Sequence, residues 1–276
     1  MAVPDCPAGE VTVTHRLFAI ARARADHSAL VGGGAAACYS YGDLAATVQA
    51  AAAGLAGRGL QPRDVVAIYA PDAACYALAT YAIRAAGGVP SPVGTGLTVT
   101  EIAGQLADCG ARMMLTGPPL AAAAQAAADR SWVRQVISFS EAAGATMFDA
   151  LLATGAAPLV EARPHDLALL PYARRPDGAL EPAPVTHHDL ASELGCLAVE
   201  AEICGQDVVL AAPPAGNGRS YTALLDHALT NGATVVAVGP DEIATAASAH
   251  HGTMAIVPCG QPVGAHDQLR VLSVTS

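Results

Sequence analysis

The chain has 276 residues, 53% of them hydrophobic and 14% charged, with a formal net charge of −10 at pH 7. This composition predicts a globular chain with a substantial core and excludes a disordered one. All 14 basic residues are arginine, which excludes a lysine phosphate clamp and a Schiff base. The acidic balance, without a basic cluster, argues against nucleic acid and membrane surfaces as partners.

The first ten residues contain neither a basic segment nor an apolar one, so we expect no secretory signal and a cytoplasmic protein. No stretch approaches the roughly 18 uninterrupted apolar residues of a membrane-spanning helix. The seven cysteines form no C-x-x-C pair, and we predict no metal site. We expect most of these thiols to be buried.

Strands and helices alternate through the first half of the chain. The apolar periodicity predicts helices over residues 11–25, 41–58, 72–86, 98–108 and 120–128, strands over 64–71, 88–93, 112–116 and 133–139, and a short hairpin over 28–41. Alternation of this kind predicts α/β architecture with a doubly wound parallel sheet.

The second half restates this plan. From Asp64 to Gly88, and again over the similar distance from Asp207 to Gly232, a strand leads through a helix into the next strand. We therefore predict two topologically related halves, residues 1–160 and 161–276, joined by the segment from Gly144 to Asp166.

A polar loop between residues 170 and 186 separates an apolar strand from a helix predicted over residues 189–203. A phosphate-binding loop needs inward backbone N–H groups, hydroxyls and usually a lysine. This loop instead contains prolines, which have no N–H, and the carboxylates of Asp177 and Glu181, which would repel a triphosphate. Its cations, Arg174 and Arg175, could hold a carboxylate or phosphate, or could be solvated side chains.

Both ends of this loop carry a resemblance. Leu170-Pro171-Tyr172 and Thr186-His187 match the ends of the signature of the adenylate-forming superfamily. Residues 39–44, 54–67 and 85–93 resemble the N-terminal half of acyl-CoA synthetases of the 4-coumarate:CoA ligase type. The resemblance implies two Rossmann-like halves with parallel sheets flanked by helices.

The departures from that family matter as much as the matches. Glu181 stands at the position of the family's lysine, and residues 213–221 replace the segment that lines the acyl pocket in relatives. The sequence ends before the adenine-binding loop, the ribose-binding aspartate and the C-terminal domain of the family. We therefore expect a truncated, degenerate member that consists of the N-terminal half, has no ATP chemistry and needs no cofactor.

Candidate site residues follow from these observations. Those predicted to bind a ligand at the carboxyl ends of the strands are Tyr172, Arg174, Arg175, Asn217, Arg219 and Tyr221. Those that could act as bases or nucleophiles are His187, His188 and Cys259. Each histidine and the cysteine also has a simpler interpretation: Thr186 or Asp189 caps a helix, the histidines face solvent, and the thiol is buried.

Three functions remain open. The first is a non-adenylating protein of specialised metabolism that binds a small organic acid, an acyl thioester or a partner protein. The second is a repurposed, ATP-independent enzyme that acts on an acyl or polyketide-like substrate. The third is one half of a split ligase. We also expect a homo-oligomer or a partner protein to cover the edge strand near residues 269–274.

Overall fold

Two β-sheets organise the chain in a computed structural model that describes residues 12–32, 38–152, 155, 159–213, 218–239, 241–258 and 269–274. The helices are α1 (Val13–Ala23), α2 (Tyr41–Gly57), α3 (Ala73–Ala85), α4 (Val99–Asp108), α5 (Ala121–Ala128), α6 (Asp149–Leu152), α7 (His187–Glu200), α8 (Arg219–Thr230) and α9 (Ile243–His250). The strands of the first half are β1 (Ser28–Val31), β2 (Tyr39–Ser40), β3 (Val65–Tyr69), β4 (Val89–Pro92), β5 (Met113–Thr116), β6 (Gln135–Ser138) and β7 (Thr146–Met147). Those that follow are β8 (Leu167–Leu169), β9 (Tyr172–Arg174), β10 (Leu180–Pro182), β11 (Val185–Thr186), β12 (Val208–Ala211), β13 (Thr234–Ala237), β14 (Met254–Pro258) and β15 (Arg270–Val274).

The first sheet has the strand order β4-β3-β5-β6-β7, and its neighbouring strands are parallel. Its central strands are runs of buried apolar residues, the pattern of a parallel strand covered on both faces. Helices α4 and α5 cover the outer face, where Ile102 and Leu106 pack against Met114. The predicted α/β class and parallel sheets are confirmed.

The second sheet has the strand order β15-β14-β12-β13-β1-β2. Its strands are parallel except for β2, which forms an antiparallel hairpin with β1. Strand β1 pairs with β13, so the hairpin of β1 and β2, near the amino end of the chain, belongs to a sheet whose other strands come from the second half of the chain. The division at residue 160 stays a prediction, and this hairpin belongs to the sheet of the second half.

Helix α3 lies between the two sheets, and all thirteen of its residues are buried. A helix that is apolar on all sides is buried in the core of a protein. The alanines on every face of α3 are small, so the strands of both sheets can pack close to it. Its side chains join one core with the inner faces of both sheets and with α1, α2 and α8. The order of layers is therefore helix, sheet, helix, sheet, helix, with α9 on the outer face of the second sheet.

Capping boxes fix where several helices begin. Ser40 caps α2 and exchanges hydrogen bonds with Asp43. Thr98 with Glu101 does the same for α4, and Thr186 with Asp189 for α7. Each box satisfies N–H groups that the first helical turn would leave unpaired.

The segment from residue 167 to 200 differs from the predicted strand, loop and helix. Strands β9 and β10 form a hairpin within the predicted loop, because local antiparallel pairing satisfies its backbone groups. Helix α7 begins at His187, two residues before the predicted start. Strand β8 pairs with β11 and lies beside β4, where the Leu170 N–H donates to the Pro90 carbonyl over 2.9 Å.

Three of the five described cysteines are exposed, namely Cys38, Cys196 and Cys204. The expectation of mostly buried thiols is wrong for them, because they lie in loops or on the outer face of α7. None of the helices in the described ranges is long and apolar enough to cross a membrane.

Candidate functional site

The β9–β10 hairpin occupies the place of the polar loop predicted between residues 170 and 186. Its tip is closed by its own backbone: the Arg175 N–H donates to the Ala179 carbonyl over 2.8 Å and the Gly178 N–H to the Arg175 carbonyl over 2.9 Å. The Ala179 N–H donates to the Asp177 carboxylate over 3.0 Å. These three N–H groups therefore bond within the hairpin.

Both arginines of the hairpin lie against carboxylates of the protein. Arg174 Nη2 is 2.8 Å from Glu101 Oε1, and its Nη1 donates to the Gly178 carbonyl over 2.8 Å. Arg175 pairs with Asp177 at 3.6 Å and with Glu181 at 3.4 Å. Hydrogen bonds from Thr98, with Arg174 beside them, lower the pKa of Glu101 to about 2. Both predicted cations therefore have internal partners.

Tyr172 is buried at the start of the hairpin. Its hydroxyl donates to Asp108 Oδ2, at the end of α4, over 2.5 Å. Burial and the Asp108 carboxylate raise the pKa of Tyr172. The phenol therefore anchors β9 to α4, and its role in ligand binding stays a prediction.

Helix α8 begins at the carboxyl end of the first sheet, close to the ligand crevice that the sequence predicts at the carboxyl ends of the strands. Gly218 precedes it with φ +76°, and a Cβ there would come within 2.5 Å of Pro92 at the end of β4. Arg219 Nε donates to Glu193 over 3.2 Å. Tyr221 is buried edge-on against Tyr76, and its hydroxyl donates to the Ala212 carbonyl over 2.6 Å.

The structure thus brings Arg219 to the helix start with its guanidinium half-exposed, whereas Tyr221 points into the core. Asn217 and Cys259 lie outside the described residues. Their predicted roles stay predictions.

The two adjacent histidines differ in environment. His188 is exposed, and its ring lies 6.2 Å from that of His165. His187 is buried, with 8% exposure, so the expectation that both face solvent is wrong for His187. As the first residue of α7 it turns inward, where burial, with Arg84 and His15 nearby, lowers its pKa to about 4. His187 lies beside the amino end of β8, on the opposite side of the sheet from the crevice at the carboxyl ends of the strands. The catalytic roles of His187, His188 and Cys259 stay predictions.

Sequence reasoning missed a buried ion pair in the central layer. Arg84 of α3 and Asp226 of α8 approach to 2.8 Å, and each side chain is at most 2% exposed. Arg84 Nε also donates to the Ala168 carbonyl of β8 over 2.9 Å. The available signal was an arginine inside the apolar helix α3, but its partner lies 142 residues away in the chain, so the pairing could not be predicted.

No group of three or more histidine, cysteine, aspartate or glutamate residues that could hold a metal ion occurs among the residues whose placement is described.

The family described as AMP-binding enzyme matches residues 17–258. The chain is 29% identical to a 4-coumarate–CoA ligase-like 9 of Oryza sativa subsp. japonica over 259 residues, which cover 89% of this chain and 45% of that protein. It is 27% identical to a feruloyl-CoA synthase of Amycolatopsis sp over 242 residues, which cover 86% of this chain and 47% of that protein. The chain thus spans about half the length of the curated relatives it matches.

Solved structures support the same assignment. The apo structure of MbtA from Mycobacterium smegmatis superposes with a TM-score of 0.81 at 26% identity, over 91% of this chain and 49% of that one. A long-chain-fatty-acid-CoA ligase, FadD1 of Archaeoglobus fulgidus, has the same fold, with a TM-score of 0.81 at 17% identity over 93% of this chain and 53% of that one. A family match over most of the chain, together with this shared fold, shows that the chain belongs to the AMP-binding enzyme family.

Proposed function

We propose that this chain is a non-adenylating member of its family, a pseudoenzyme that binds an acyl or aryl carboxylate, or the corresponding thioester, in specialised metabolism. The observation that carries the proposal is the β9–β10 hairpin. Where a phosphate loop would need free N–H groups and cations, the N–H groups of Arg175, Gly178 and Ala179 bond internally. Phosphate binding there would also have to separate two arginines from their carboxylates.

Charge strengthens this argument. Asp177 and Glu181 stand at the tip and on the second strand of the hairpin, and both are exposed. Pro176 and Pro182 have no N–H to donate. A triphosphate approaching this surface would therefore meet like charge and few donors. The same features oppose the split-ligase alternative.

The proposed ligand class follows from the relatives and from one side chain. Two of the relatives are named as a 4-coumarate–CoA ligase-like protein and a feruloyl-CoA synthase, and coumarate and ferulate are carboxylates that carry an aryl group. Arg219 begins α8 at the carboxyl edge of the first sheet, where ligands of open α/β folds bind. Its half-exposed guanidinium pairs with Glu193 through Nε, and a ligand carboxylate would share the guanidinium with that residue.

We expect an aryl acid or acyl thioester to raise the melting temperature of the parent protein, and Arg219→Ala to reduce that rise. Losing a charge-assisted hydrogen bond of about 1.5–3 kcal/mol should weaken binding by roughly tenfold or more. Thermal shift with each ligand, and with ATP as a separate arm, measures this. Arg22→Ala, at an exposed position near the end of α1, is the matched control. Equal ligand shifts in the Arg219→Ala protein and the parent would remove Arg219 from the site.

We further propose that the chain works within a homo-oligomer or beside a partner protein. Strand β15 is the outer strand of the second sheet, and Arg270, Val271 and Ser273 are exposed along it. An outer strand that carries an exposed valine is prone to pair with another chain.

Light scattering at micromolar concentration should accordingly give a mass above that of the monomer, or a partner should co-purify from the native host. Placing a charge on the outer strand, with Val271→Lys, is expected to lower the mass or release the partner. The same change at Val199, an exposed position on α7, is the matched control. A monomeric parent protein with no co-purifying protein would contradict this proposal.

A further inference from the structure

A cavity of about 530 Å³ lies at the amino ends of strands β3, β4 and β8, on the opposite side from the crevice near Arg219. Its walls come from the turns that precede β3 and β4, from the segment that leads into β8, and from the start of α7. The charged and titratable residues that line it are Arg63, Arg84, Glu161, Arg163, Asp166 and His187. Its volume lies within the range of small-molecule sites, about 300–1,000 Å³.

Two buried polar atoms distinguish this cavity from a surface groove. Within the described part of the chain, Arg84 Nη2 and His187 Nδ1 have no hydrogen-bond partner, and both residues line the cavity. Arg84 is 4% exposed and His187 8% exposed. The other guanidinium nitrogens of Arg84 already bond to Asp226 and to the Ala168 carbonyl. Leaving a buried donor unpaired costs about 1–3 kcal/mol, so a bound acceptor would stabilise this arrangement.

The start of α7 does not by itself supply the donors. The His187 N–H donates to the Asp166 carbonyl over 3.0 Å, and the His188 N–H to the Pro164 carbonyl over 2.8 Å. The Asp189 N–H donates to the Thr186 hydroxyl over 3.1 Å. The helix therefore contributes its dipole, and the side chains of Arg84 and His187 must provide the contacts.

The charge of the lining selects the ligand class. Arg63, Arg84 and Arg163 contribute +3, and Glu161, Asp166 and Asp226, which pairs with Arg84 at 2.8 Å, contribute −3, so the charges balance with His187 neutral. Asp166 is held in place by Arg63 Nη2 at 2.6 Å and by the Arg163 N–H at 2.8 Å. A ligand with a single negative charge is repelled less by these three carboxylates than a dianionic phosphate is, so a monoanion is favoured.

We propose that this cavity is a second ligand site, which binds the carboxylate of a small organic acid between Arg84 Nη2 and His187 Nδ1. With Nδ1 carrying the proton, the two unpaired atoms that line this cavity can each donate to one oxygen of a carboxylate. The site lies at the opposite end of the first sheet from Arg219 and does not depend on the proposed function. It requires neither ATP nor the β9–β10 hairpin.

Binding at this site should be coupled to protonation of His187. Burial and Arg84 lower the pKa of its ring, with His15 adding to the effect and Asp166 opposing it. Arg63, Arg163 and Glu161 are the other charged groups that line the same cavity, and Asp226 of α8 pairs with Arg84. A bound carboxylate adds negative charge beside the ring and raises its pKa, so affinity increases as the pH falls.

The experiment uses the full chain with isotope-labelled histidines and benzoate as the probe. We expect benzoate to shift the His187 ring resonances and to bind about threefold more tightly near pH 5.5 than near pH 7.5. Benzamide, the neutral amide of similar shape, and inorganic phosphate should not shift them. His187→Leu should weaken benzoate binding about tenfold, and His187→Asn, which keeps a polar atom near Nδ1, should restore part of it.

A second pair of variants leaves His187, the first residue of α7, unchanged, so it tests the site without disturbing the start of that helix. Ala162→Trp fills the cavity from its wall and should abolish benzoate binding there, whereas Ala46→Trp, on the exposed face of α2, should not. Arg219→Ala should leave the His187 shifts unchanged, which separates this site from the crevice. Failure of benzoate to shift His187, equal binding of benzamide or phosphate, or full binding by the Ala162→Trp protein would each overturn the proposal.

Discussion

Replacing Arg84 with methionine is expected to lower the free energy of unfolding by about 3–5 kcal/mol near pH 8. The change leaves the Asp226 carboxylate buried between α3 and α8 without the guanidinium that now lies 2.8 Å away. Burial raises the pKa of Asp226, and Arg84 opposes that rise. Without Arg84, the folded-state pKa of Asp226 should rise further above its unfolded value.

The sign of the pH dependence follows. A carboxyl whose pKa is raised by folding adds stability below its unfolded pKa, and that stability is lost as the pH rises through the folded pKa. The destabilisation by Arg84→Met should therefore be larger near pH 8 than near pH 5. Urea unfolding at both pH values measures it.

The double variant Arg84→Met with Asp226→Leu is the control. Removing both charges eliminates the unpaired carboxylate, and replacing a buried pair with apolar residues is often neutral or stabilising. We expect the double variant to recover most of the lost stability. A single variant as stable as the parent protein would show that the pair does not hold α3 against α8.

The parent protein should lose about 2–3 kcal/mol of stability on acidification through the titration of His187 alone. Burial, with Arg84 beside the ring, lowers the pKa of His187 to about 4. Because the unfolded state binds a proton near pH 6.5 and the folded state only near pH 4, stability is lost as the pH falls through this window. Burial lowers the pKa of His227 too, which adds a contribution of the same sign.

Chemical unfolding of the parent protein and of His187→Asn between about pH 7 and pH 4 tests this expectation. The variant cannot take up a proton at this position, so it should lose less stability on acidification. His188→Asn, at the exposed neighbouring position, should behave like the parent. An acid profile of His187→Asn that is identical to that of the parent would show that His187 is not held neutral by its surroundings.

The elements that follow from local pattern were predictable from sequence. Val65–Tyr69 and Val208–Ala211 read as buried parallel strands, and both are. The alanine-rich run that became α3 was predicted to within a residue at each end. Hydrophobic periodicity and helix caps depend only on residues that are close together in the chain, so the local sequence is enough to predict these elements.

The features that depend on distant parts of the chain were not predictable. The β1 strand joins β13 across more than 200 residues, and no local pattern encodes that pairing. The contact of the β9–β10 hairpin with α4, where Arg174 pairs with Glu101, joins residues far apart in the chain. The burial of His187 likewise depends on Arg84 and the segment before β8, which meet it only in the folded chain.

Carboxylate-dependent exchange of pyrophosphate with ATP tests the proposal of a non-adenylating protein most directly. The assay combines the purified chain with ATP, magnesium and a panel of aryl and acyl acids, beside an active ligase of the family and a boiled sample of the chain. Because the β9–β10 hairpin uses its N–H groups and arginines internally, we expect exchange equal to that of the boiled sample with every acid. Exchange clearly above that level with any acid would contradict the proposal.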